Sequence, residues 1–146
     1  MKRIETRIEI DAPVEAVWRV LTDLPNYATW NPFIPEASGT VAPGERLHVR
    51  IQPEGGRGMS FSPAVLAADE NRLLQWRGRL LVPGLFDGTH SFELEPLDDG
   101  GTRLVQSEEF SGLLVPVLLD DSRIRDGFKS MNRALKERAE ALSVVV

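Results

Sequence analysis

The stretch His90-Ser91-Phe92-Glu93-Leu94-Glu95-Pro96-Leu97-Asp98-Asp99-Gly100-Gly101-Thr102-Arg103-Leu104-Val105-Gln106-Ser107-Glu108-Glu109-Phe110 decides the fold. Phe92 and Leu94 alternate with polar residues, the period of a strand with one buried face. Asp98-Asp99-Gly100-Gly101 supplies the positive-φ positions of a hairpin, and Leu104 to Phe110 runs back. Strands joined so tightly are antiparallel.

The period of two extends backwards from this hairpin. Leu74-Gln75-Trp76-Arg77 keeps it after a tight turn near Glu70-Asn71, and Leu47, Val49 and Ile51 alternate with His48, Arg50 and Gln52. Gly55-Gly56-Arg57-Gly58 is a turn leading into Met59-Ser60-Phe61. A phosphate-binding loop would open onto a helix instead. At the start of the chain, Ile4, Ile8 and Ile10 among charged residues predict a first strand. Asp11 then offers a helix cap, Pro13 suits a first turn, and Val14, Val17, Trp18 and Leu21 follow at helical spacing. A second short helix is expected over 26–31, stopped by Pro32. Beyond the hairpin the period changes again. Ile124, Phe128, Met131, Leu135, Ala139 and Leu142 form the apolar stripe of one long helix, with Arg125, Lys129, Arg133, Lys136 and Glu140 opposite.

An antiparallel sheet with one apolar face must cover that face. The long helix is the only large element available, and it is narrower than a curled sheet of about seven strands. The mismatch leads us to expect a cavity between them, in a single domain over residues 1–146.

Composition narrows the function classes. A net charge of −5 and the lack of basic runs weigh against nucleic acid. Cysteine is absent, which excludes disulfides, thiolate nucleophiles and cysteine metal sites. With two histidines in the chain, neither a metal site nor a cofactor is expected. The opening Met1-Lys2-Arg3-Ile4-Glu5 lacks the apolar core of a signal peptide. No run approaches the roughly 20 apolar residues of a membrane span; the stretch Leu113 to Leu119 is short and contains Pro116. The expected location is the cytoplasm, without membrane insertion.

Several motifs carry a resemblance. Ile8-Glu9-Ile10-Asp11-Ala12-Pro13-Val14-Glu15-Ala16-Val17-Trp18 resembles the first strand and helix of the SRPBCC (START/birch-pollen-allergen-like) superfamily. Leu24-Pro25-Asn26-Tyr27-Ala28-Thr29-Trp30-Asn31-Pro32-Phe33 resembles its second-helix signature. Leu85-Phe86-Asp87-Gly88-Thr89-His90-Ser91-Phe92 and Glu108-Glu109-Phe110-Ser111-Gly112 are similar to a bacterial polyketide cyclase/dehydrase-like branch. The resemblance implies an α+β helix-grip fold: a seven-stranded curved antiparallel sheet around a long C-terminal helix, with two short helices after the first strand. It implies a pocket between sheet and helix for a small hydrophobic molecule (aromatic, polyketide-like, isoprenoid or lipid), but no single activity.

The candidate residues follow. Trp30, Phe33, Trp76, Phe92, Phe110, Phe128 and Met131 sit on expected apolar faces or their edges, as pocket lining or as ordinary core. Trp30 and Phe33 lie in a proline-bounded connection, where the family places the lip of its pocket. By period two His90 shares a face with Phe92, and Gln106 and Glu108 share one with Leu104 and Phe110. A single bulge over 104–110 would instead turn Ser107 and Glu109 inward. Neighbouring strands can bring His90 beside Gln106 or Glu108, either as a satisfied polar group in a half-wet interior or as an acid/base pair. Three uses stay open: a binding module, a cyclase or dehydratase working through His90 and Glu108, and a protein-interaction module akin to chaperone co-activators. The apolar tail Ser143-Val144-Val145-Val146 offers a contact for a homodimer.

Overall fold

A computed structural model describes residues 1–80 and 84–144. The first strand β1 (Lys2–Ile10) is followed by helix α1 (Val14–Thr22), a single 3-10 turn (Leu24–Asn26) and the short helix α2 (Tyr27–Trp30). Seven strands come next: β2 (Glu36–Ser38), β3 (His48–Ile51), β4 (Met59–Phe61), β5 (Ala64–Asp69), β6 (Leu73–Leu80), β7 (Phe86–Pro96) and β8 (Thr102–Ser111). The short helix α3 (Val115–Leu118) then leads into the long α4 (Asp121–Val144). This is an α+β arrangement of the helix-grip type.

The strands do not make one seven-stranded sheet. They form a five-stranded antiparallel sheet, β1-β8-β7-β6-β5, and a separate three-stranded one, β2-β3-β4. The break lies between β4 and β5, where Pro63 has no N–H to give to a ladder. The two sheets are joined there: Arg46 bridges Ala64, and the Leu47 N–H donates to the Pro63 carbonyl at 2.9 Å. The strand β2 and the helix α3 carry too few residues to leave a period in the sequence.

Register is what positions the site. Residues 102–111 of β8 pair one to one with 87–96 of β7 and, over 102–110, with β1 on the other side. No bulge interrupts β8, so Leu104, Gln106, Glu108 and Phe110 share a face. The turns behave as their residues dictate: Asn71 (φ 65°) and Gly100 (φ 88°) occupy the left-handed region at the β5–β6 and β7–β8 hairpins.

Helix α4 lies over this face, packing on β1, α1 and β8. Phe128, Met131, Leu135 and Ala139 are fully buried, each large side chain stabilising by about 1.5–3 kcal/mol. The stripe ends earlier than the spacing suggests, for Leu142 is about half exposed. Asp11 does not cap α1; Pro13 holds that position, and the Asp11 N–H donates to Glu140 on α4 at 2.8 Å. The tail residues Val145 and Val146, on which a homodimer contact was expected, lie outside the described residues.

Candidate functional site

Three rows of side chains cross the covered face of the large sheet. Strand pairing sets Leu74, Phe92, Gln106 and Thr6 in one row, Trp76, His90, Glu108 and Ile4 in the next, and Gly78, Gly88, Phe110 and Lys2 in a third. The first row is sealed. Phe92 and Gln106 are completely buried beneath α4, together with Phe128 and Met131. His90 is boxed in by rings, stacked on Phe92 at 4.7 Å and edge-on to Phe128 at 4.9 Å.

A chain of hydrogen bonds runs from the second row into the helix. Glu108 Oε1 lies 3.0 Å from His90 Nδ1, and His90 Nε2 lies 2.9 Å from Gln106 Oε1. Gln106 Nε2 donates to Asn132 Oδ1 at 2.7 Å and faces the Phe128 carbonyl at 3.4 Å. Asn132 Nδ2 donates to the Thr6 hydroxyl, which donates to the Gln106 carbonyl. The direction of this chain assigns the protons. With the Gln106 amide oriented so that Nε2 donates to Asn132 and faces the Phe128 carbonyl, Gln106 Oε1 accepts a hydrogen from His90 Nε2. His90 Nδ1 then faces a carboxyl oxygen, and the two share one proton.

Both imidazole nitrogens are thereby occupied. The atom that faces outward is Glu108 Oε2, which has no hydrogen-bond partner among the described residues. Gly88 makes room for it, because a Cβ there would overlap that oxygen. Gly78 stands opposite Gly88 on β6 and is equally bare. A cavity of about 390 Å³ opens over these glycines. The large sheet lines it with Trp76, Phe86, His90, Glu108 and Phe110, the small sheet with Val49, Ile51 and Phe61, and the chain entering α4 with Leu119 and Ile124. Its size lies within the range of small-molecule sites, and like them it is mostly apolar with few polar groups.

The residues nominated from sequence therefore divide. Phe33, Trp76, His90, Glu108 and Phe110 line the cavity. Phe92, Gln106, Phe128 and Met131 fill the trough beside it as solid core. Trp30 lies outside, half-buried and edge-on to Tyr27 at 5.1 Å. Sequence reasoning passed over Gly78, Gly88, Val49, Ile51, Phe61 and Phe86. A glycine on the inward face of a strand was the available signal.

Local structure explains why Phe33 and not Trp30 reaches the cavity. Asn31 Oδ1 accepts the backbone N–H groups of Phe33 and Ile34 at 3.0 and 2.8 Å, folding the connection back toward α4. The Phe33 ring then rests against Gly127, where a Cβ would overlap it, and edge-on to Phe128 at 5.6 Å. Tyr27 anchors the preceding turn by donating its hydroxyl to the Leu21 carbonyl. Burial pushes its phenol far above the usual range, so it remains a donor.

At the outer end, Arg57 from the β3–β4 turn and Arg123 from α4 border the cavity, with Asp120 beside Arg123. Among the described residues no three His, Asp or Glu side chains are grouped to hold a metal ion, and no helix is long and apolar enough to cross a membrane. The turn 55–58 joins two strands and opens onto no helix.

Residues 1–140 match the family model described as polyketide cyclase/dehydrase and lipid transport. Protein NE0264 from Nitrosomonas europaea superposes with a TM-score of 0.77 at 22% identity, over 97% of this chain and 96% of its own. A START superfamily protein from Mycobacterium smegmatis gives 0.73 at 18%, over 96% and 98%. The di-domain ARO/CYC protein StfQ, from the steffimycin biosynthetic pathway, gives 0.76 at 13%, over 98% of this chain and 52% of StfQ. At these identities the likeness is one of fold. A comparison with curated protein sequences gives no match.

Proposed function

We propose that this chain, which belongs to the polyketide cyclase/dehydrase and lipid transport family, binds a small, mainly apolar, ring-bearing molecule in the cavity over Gly78 and Gly88. The observation that carries this reading is Glu108 Oε2. It is an acceptor with no partner among the described residues, at the inner end of an apolar space, and Gly88 leaves it uncovered where a side chain would overlap it. A half-buried acceptor of this kind favours a guest that brings a hydroxyl or other donor to meet it. The aromatic walls supply most of the contact area, and the carboxylate fixes orientation.

Native mass spectrometry of freshly purified protein tests the proposal. A co-purifying apolar molecule is expected with the wild type, together with its loss in Gly78→Phe, which fills the cavity. A protein that carries no guest and takes up none from a panel of hydroxylated aromatics would refute it.

One observation favours a second reading, catalysis in the same cavity. A carboxyl and an imidazole that share a single proton can accept one proton and return it without changing state. In a dehydration, Glu108 as carboxylate takes a proton from the carbon beside a hydroxyl-bearing carbon. It returns that proton to the hydroxyl as the C–O bond breaks and water leaves, and His90 steadies each charge state through Nδ1. Glu108→Gln would then abolish turnover of a poly-β-keto substrate while affinity stays within a few-fold. Turnover that survives the substitution would dismiss this reading and leave the binding proposal intact.

A further inference from the structure

We infer that the mouth of the cavity recognises a carboxylate, so that the preferred guest is an amphipathic acid with a donor hydroxyl at its inner end and an anionic group at its outer end. The inference rests on the binding reading above and adds the chemistry of the second end.

The polar groups along the cavity are sorted by depth. Glu108 is at the inner end, with its side chain 18% exposed. Arg57 and Arg123 are at the outer end; Arg123 is about half exposed and Arg57 is open to solvent. Two guanidinium groups border this end although the chain as a whole carries a charge of −5.

The acidic groups nearby do not use them up. Asp120 faces Arg123 Nε at 3.4 Å. Its carboxylate is also engaged with the start of α4: hydrogen bonds from the Arg123 backbone N–H and the Ser122 hydroxyl hold it below the usual carboxylate range. The other nitrogens of Arg123 remain available, and Nη1 lies toward Gly56, where a missing side chain lets it approach the β3–β4 turn. Arg79 is the ladder partner of Asp87 and lies 3.9 Å from it, so its guanidinium is on the face of the sheet away from Gly78 and Gly88 and takes no part in the rim. Arg57 has no carboxylate within ion-pair distance among the described residues. The rim therefore carries an excess of positive charge above an apolar space, where low-dielectric walls strengthen its field. Arginine stays charged at every working pH, and its planar fork matches a carboxylate.

A matched pair of probes tests the idea: 2-naphthol, which has the ring and the donor hydroxyl, and 6-hydroxy-2-naphthoic acid, which adds a carboxylate at the far end. Calorimetric titration at low salt should show the acid binding at least about tenfold tighter, the gain of one charge-assisted contact. That advantage should shrink to within about threefold in the double variant Arg57→Gln, Arg123→Gln, and should narrow as salt is raised. Equal affinities for the two probes in the wild-type protein would overturn the inference and leave the binding reading standing. An advantage that persists undiminished in the double variant would also overturn it, since the rim would then not be its source. If neither probe binds, the binding reading itself fails and the inference falls with it.

Discussion

Glu108 stands directly across the β7–β8 ladder from His90, and its Oε1 lies 3.0 Å from the imidazole Nδ1. The other imidazole nitrogen is held by Gln106, so the histidine backs the carboxyl group and lines the cavity with neither nitrogen free. The buried chain through Gln106, Asn132 and Thr6 fixes which nitrogen always carries hydrogen. Nitrogen-15 spectra of His-labelled protein should show hydrogen on Nε2, with Nδ1 hydrogen-bonded to Glu108. A neutral ring protonated only at Nδ1 would contradict the proton assignment.

Gly127 sits inside α4, where glycine costs about 1 kcal/mol relative to alanine. Helix propensity alone makes Gly127→Ala a stabilising change. The Phe33 ring occupies the space its Cβ would need, and overpacking of this kind typically costs about 1–3 kcal/mol. We expect net destabilisation in urea unfolding, together with a displaced Phe33 and weaker binding of any cavity probe. A higher unfolding midpoint would show that the ring can move aside freely.

Glu140 ties the far half of α4 to the β1–α1 junction. The Lys136 ammonium, and after it the Asp11 backbone N–H, hold its carboxyl below the usual carboxylate range. A carboxyl depressed by folding contributes stability that is present above its unfolded value of 4.5 and is lost as pH falls through the folded value. Urea midpoints measured from about pH 6 down to about pH 3 should therefore fall less steeply in Glu140→Gln than in the wild type. Parallel curves would mean that the contact adds nothing to folding.

The sequence made the faces of the sheet readable but not their depth. Alternation, together with the Asp98–Gly101 turn, places His90, Phe92, Gln106 and Glu108 on one face, and the ladder pairs them accordingly. Period two cannot say where along a strand the covering helix stops. Phe92 and Gln106 lie under α4 as solid core, whereas Glu108, two residues farther along β8, reaches the open space. The resemblance implies one continuous sheet; the missing N–H of Pro63 interrupts a ladder in a way that hydropathy does not register. The rim arginines escaped notice for a different reason. Arg57 looks like an ordinary turn residue until the fold brings the β3–β4 turn beside Arg123.

Binding in the space over Gly78 and Gly88 is the claim on which the rest depends, and Gly78 offers a way to close that space without breaking the fold. A Cβ on Gly78 would meet nothing nearer than the Pro63 Cβ at 3.8 Å, and aromatic residues suit strands. The decisive measurement is a fluorescence titration of 1-anilinonaphthalene-8-sulfonate into the wild type and Gly78→Phe, with the melting temperature of each recorded alongside. The account predicts saturable uptake of one equivalent by the wild type, and at least about tenfold weaker binding by an equally stable Gly78→Phe. Equal affinity in the two proteins would contradict it.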